Sequence, residues 1–126
     1  MRRILVAVSD SAHALAAAQL ALELAATTSA EVNFVGVSEP ALDVEPVLRH
    51  VNDLAATAGI TATITAIADG QPFEALLATA HEWNADLIVM GRSDRRRPGD
   101  PYVGSQTEHL LEFTDIPVLV VPPATG

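Results

Sequence analysis

At 126 residues the chain is the size of one domain and long enough to bury a sizeable core unaided. With no cysteine it can hold neither a disulfide framework nor a thiolate metal or redox centre. Its 16 acidic and 7 basic residues leave a formal charge of -9, the wrong sign for neutralising nucleic-acid phosphates, so no nucleic-acid partner is expected. No apolar run approaches the roughly 20 residues that cross a bilayer, and no secretory leader is read at the start, so the expectation is a cytoplasmic protein with no membrane partner.

In chain order, "ILVAV" over 4–8 is a short run of consecutive apolar residues, the pattern of a strand buried on both faces. An alanine- and leucine-rich helix follows over 11–27, with Ser11 or Asp10 available to cap it. "VNFVGV" over 32–37 is the second strand, and a helix over 45–58 ends at Gly59, a residue suited to the left-handed helix stop. "TATITAI" over 61–67 is the third strand. The third helix, 72–83, has Pro72 at its start and carries Phe73, Leu76, Leu77, Ala80 and Trp83 at helical spacing, read as a core face. "LIVM" over 87–90, a helix over 105–113 and "PVLVV" over 117–121 complete the chain.

Strands alternating with helices of this length imply right-handed crossovers, and hence an α/β fold with an open five-stranded parallel sheet covered by helices on both faces. Such sheets bind ligands outside the carboxyl ends of their strands, where strand order reverses. The segments of interest are therefore "SDSAHA", "SEPALDVEP" and "GRSDRRRPGDPYVGS", which follow the first, second and fourth strands. In the last of these, Gly104-Ser105 opens a helix whose first turn offers unpaired amides at the positive end of the dipole. Ser105 can donate to a phosphate oxygen or cap its own helix. The 12 residues between Gly91 and Gly104 form a connection longer than packing alone requires.

These segments resemble the universal stress protein family over the whole chain. "RRILVAVSDSAHALAAAQLALELA" is similar to its amino-terminal part, "ADGQPFEALLATAHEWNADLIVMG" to its middle, and "NADLIVMGRSDRRRPGDPYVGSQTEHLLEFTDIPVLVVPP" to its carboxyl-terminal part. Nucleotide-binding members carry glycine, two residues, glycine, nine residues, glycine, then serine or threonine. Gly91, Gly104 and Ser105 fall in register with that pattern, while its second glycine corresponds to Asp94. The resemblance implies a flavodoxin-like fold of the adenine nucleotide alpha hydrolase type. It implies a regulatory protein, not an enzyme, that binds ATP, with magnesium if a metal accompanies it. Gly104 and Ser105 would serve the phosphates, Gly91 close backbone approach, Ser9 and Asp10 the ribose or a metal, and Val37 the adenine edge. Arg92, Asp94 and Gln106 belong to the same loop. It also implies a homodimer through the last strand, Val118, Leu119, Val120 and Val121, and an unidentified protein partner.

Two departures weigh against occupancy. Aspartate ends the first strand in ATP-binding members, where this chain has Ser9, with a carboxylate one place later at Asp10. Asp94 would set a negative charge beside the polyphosphate. At 4 Å that repulsion is about 1 kcal/mol in water and about 4 kcal/mol at an effective dielectric of 20, a several-fold to roughly thousandfold loss of affinity. Arg92, Arg95, Arg96 and Arg97 could offset it with forks suited to phosphate, or form a solvated loop crest. The alternative expectation is a dimeric family member that binds no ATP and acts through a partner.

Other chemistry is read as absent. His13, His50, His81 and His109 fall on separate helices without metal-ligand spacing. "VGSQT" lacks the flanks of a nucleophile elbow, and a chain with no lysine has no Walker-type phosphate loop. Any ATP hydrolysis is expected to be slow and incidental.

Overall fold

The computed structural model describes residues 1–8, 11–37, 44–67, 72–91, 112 and 114–122. Five parallel strands, β1 (Arg3–Val8), β2 (Glu31–Val37), β3 (Ala62–Ile67), β4 (Leu87–Gly91) and β5 (Val118–Val121), form one sheet in the order β3-β2-β1-β4-β5. Three helices, α1 (Ser11–Thr28), α2 (Glu45–Thr57) and α3 (Pro72–Trp83), connect the first four strands. The helix expected over 105–113 lies outside the described residues except for Glu112, which is helical.

Burial explains why each segment takes its form. β1 is central, and Ile4, Leu5 and Val6 are fully buried, which an uninterrupted apolar run requires. Alternate side chains sort to opposite faces. Ile4, Val6, Val32, Phe34 and Val89 join the larger core beneath α1 and α2, whereas Leu5, Val35 and Ile88 join Leu76 and Ala80 of α3. Ala17, Ala18, Ala21 and Ala25 line the buried side of α1, and these small residues let the helix sit close over β1 and β4. Leu76, Leu77, Ala80 and Trp83 do form the core face of α3, while the side chain of Phe73, expected with them, lies outside the described residues.

All three helices end the same way. Ala30 N–H donates to the Ala25 carbonyl, Ile60 N–H to Ala55, and Ala85 N–H to Ala80, the wide bond of a Schellman motif. Each motif needs one left-handed residue, supplied by Ser29 (φ 59), Gly59 (φ 72) and Asn84 (φ 59). Glycine takes that conformation freely; serine and asparagine take it at some cost.

Candidate functional site

The strand order reverses between β1 and β4, since β1 leads outward to β2 and β3 on one side while β4 leads to β5 on the other. From β1 the chain enters α1 on the larger-core face, and it reaches β4 from α3 on the opposite face. In open parallel sheets ligands bind outside the carboxyl ends of the strands where the order reverses, here the ends of β1 and β4. Val8 closes β1 there, and Gly91 closes β4 opposite Val121.

Two features give that end its chemistry. Only Ser9 and Asp10 separate the end of β1 from the first turn of α1, so an 18-residue helix points its amino terminus to the carboxyl end of the sheet. Its first turn holds no acidic residue, leaving the positive dipole end unneutralised from within the helix. At β4, Gly91 is half-buried and presents backbone without a side chain. Val37 ends β2, on the far side of β1 from Gly91. With neighbouring strands about 4.8 Å apart, the two termini flank β1 roughly 10 Å from each other, a span that a nucleoside and its first phosphate can bridge. Of the sequence-predicted site residues, Gly91 and the backbone of Val37 are brought to this one end. Ser9, Asp10, Arg92, Asp94, Gly104, Ser105 and Gln106 lie outside the described residues.

The amino end of the sheet is organised differently. The Arg2 and Arg3 backbone N–H groups donate to Asp86 Oδ2 at 2.8 and 2.9 Å, and Asp86 N–H returns a bond of 2.8 Å to the Arg3 carbonyl. The two donated amides hold the Asp86 carboxyl below its ordinary value. A depressed folded-state value contributes stability above the unfolded value that is lost as pH falls through the folded one. Arg3 also donates from Nη1 to the Trp83 carbonyl at 2.7 Å, and its guanidinium carbon lies 5.7 Å from the Trp83 ring centre. Beside this clamp, an open cleft of about 400 Å³ is lined by His81, Asn84, Asp86 and Asp115 among others, with His81 Nε2 3.8 Å from Asp115 Oδ1. Sequence reasoning missed this clamp, because its partners lie 84 and 83 positions apart.

The strand expected at a sheet edge does lie there. Val118, Leu119 and Val120 of β5 are half-buried and Val121 is buried. Among the described residues no cluster of histidine and carboxylate groups could hold a metal ion, and no helix is long and apolar enough to cross a membrane.

A parallel sheet with this order and with helices on both faces defines an open α/β fold whose strand order reverses between β1 and β4. The sequence profile of the universal stress protein family matches residues 1–50 and 42–122, and the chain belongs to that family. A Thermus aquaticus protein, "Universal stress protein in QAH/OAS sulfhydrylase 3'region", is 30% identical over 95% of this chain and 98% of its own length. The stress response protein NhaX of Bacillus subtilis is 40% identical over 55 residues, but that match takes in 44% of this chain and only 33% of the Bacillus protein. A universal stress protein solved in complex with cAMP superposes with a TM-score of 0.78 at 27% identity, covering 98% of each chain.

Proposed function

We propose that this chain is a regulatory stress-response protein, not an enzyme, whose crevice between β1 and β4 takes an adenine nucleotide. The observation that carries this reading is the reversal of strand order at β1 and β4, which brings Gly91 and the amino terminus of α1 to one end. A family relative of 27% identity holding cAMP supports an adenine ligand. Gly104, Ser105 and Gln106 would meet phosphates with backbone amides and a hydroxyl. Ser9 would meet the ribose and Val37 the adenine edge. A magnesium ion, if carried with ATP, would fit the Asp10 carboxylate together with phosphate oxygens. The protein would act in the cytoplasm as a homodimer through β5, passing nucleotide occupancy to a protein partner.

A second reading is favoured by a specific observation, the aspartate at position 94 and the serine at position 9. In that version the crevice stays empty of ATP and the dimer alone recognises the partner. Melting the protein with and without millimolar Mg-ATP, and assaying the purified protein for copurified nucleotide, separates the two. The first reading predicts a raised melting temperature that Ser105→Ala diminishes. No shift and no copurified nucleotide would leave the second.

A further inference from the structure

The sheet has two edges, and the one opposite β5 is β3, whose outer side pairs with no described strand. Sheet edges are ordinarily protected by charges, prolines, bulges or shortness. β5 is four residues long and bracketed by Pro117 and Pro122. β3 is six residues long, and from Ile60 to Ala68 the chain has no charge, proline or glycine. Ile64, at the middle of the strand, is 39% exposed, and only Met1 accompanies it as an exposed large hydrophobic residue among the described residues.

The direction of the peptide groups is fixed by the pairing with β2. Val32 N–H donates to the Thr61 carbonyl while Val32 stands opposite Ala62, so Thr61, Thr63 and Thr65 turn their backbone groups toward β2. The N–H and C=O groups of Ala62, Ile64 and Ala66 therefore point outward. Residues 62–66 read Ala-Thr-Ile-Thr-Ala, the same in both directions. A second copy laid antiparallel about Ile64 would set Ile64 opposite Ile64, Ala62 opposite Ala66, and Thr63 opposite Thr65. In that register each outward N–H meets an outward carbonyl in the narrow, hydrogen-bonded type of antiparallel pair. Each side chain also meets its own kind on its own face, which favours pairing. Thr65 Oγ1 already donates to Asn33 Oδ1 at 3.0 Å, so its oxygen is free to accept from the facing Thr63 hydroxyl.

We propose that β3 is a self-association edge, at which two copies of this chain join antiparallel about Ile64 into one continuous sheet. Such a twofold contact is self-complementary, as isologous interfaces must be. The charge of -9 on each copy opposes the approach, so association strengthens as added salt screens it. This interface is separate from the β5 dimer proposed above; a chain that uses both edges assembles beyond a dimer.

Two experiments on the whole chain test the proposal. Because the sequence has no cysteine, Ile64→Cys introduces a unique thiol. Facing Cα atoms about 5.5 Å apart lie within disulfide reach, so mild oxidation should give a covalent dimer. Ala66→Cys, which faces Ala62 in this register, should not; absence of the dimer with Ile64→Cys, or equal crosslinking at both sites, overturns the register. Sedimentation velocity then reads the edge itself. Ile64→Pro removes an outward N–H without touching the β2 ladder, and Ile64→Lys adds a charge should the proline variant not fold. Either should lower the weight-average mass at 0.5 M salt, and an unchanged mass in a folded variant overturns the proposal. Val120→Pro, which blocks β5, should leave the Ile64→Cys crosslink intact, so failure of the β5 reading is distinguishable from failure of this one.

Discussion

The two ends of the sheet are built differently. At the amino end the chain is tied to itself: Asp86 gathers the Arg2 and Arg3 amides, Arg3 reaches the Trp83 carbonyl, and the C-terminal Schellman turns of all three described helices close around Ala30, Ile60 and Ala85. At the carboxyl end the strand order reverses between β1 and β4, the first turn of α1 holds no acidic residue, and Gly91 presents backbone without a side chain. On the proposed function, stability belongs to the amino end and ligand chemistry to the carboxyl end, and substitutions should separate the two.

The largest effect should come from Phe34→Ala, which breaks the core shared by both ends. Phe34 is fully buried on β2 under α2, and truncating it should cost about 3 to 5 kcal/mol in urea denaturation without favouring either end. Asp94→Gly should act at the carboxyl end alone. Removing a carboxylate beside the polyphosphate should tighten Mg-ATP binding by about 1 to 4 kcal/mol in calorimetric titration and leave the amino-end hydrogen bonds unchanged. Asp86→Asn is its counterpart. It should lower the melting temperature at pH 7 without changing nucleotide affinity. Because the Asp86 carboxyl titrates below its ordinary value, the wild-type advantage over this variant should shrink as pH falls below about 4. The smallest effect should be a gain: Ser29→Gly relieves a serine at φ 59 and should stabilise by about 0.5 kcal/mol, with no effect on ligand.

Most of the fold was legible because it rests on local signals. Buried runs such as "ILVAV" and helix stops such as Gly59 announce themselves within a few residues, and the observed elements fall within one or two positions of the expected ones. Gly59 was readable as a left-handed stop, but Ser29, which takes the same conformation, carries no such marker. Strand order was not readable from periodicity. The exposure of Ile64 follows only once β3 is known to be an edge, and the Asp86 clamp only once β1 and β4 are neighbours. The strand ends at which the candidate site is proposed follow from topology, with Gly91 closing β4, whereas Gly104 and Ser105 lie outside the described residues. The occupancy of the site was not legible, because that depends on a balance between Asp94 and the surrounding arginines that spacing does not settle.

Amide hydrogen exchange with and without Mg-ATP tests the division of labour between the two ends in one measurement. The account predicts slowed exchange at residues near 8–13, 37, 91 and 104–108, with Arg2, Arg3, Ala85 and Asp86 unchanged. Protection confined to the amino end, or none anywhere at millimolar nucleotide, would contradict it.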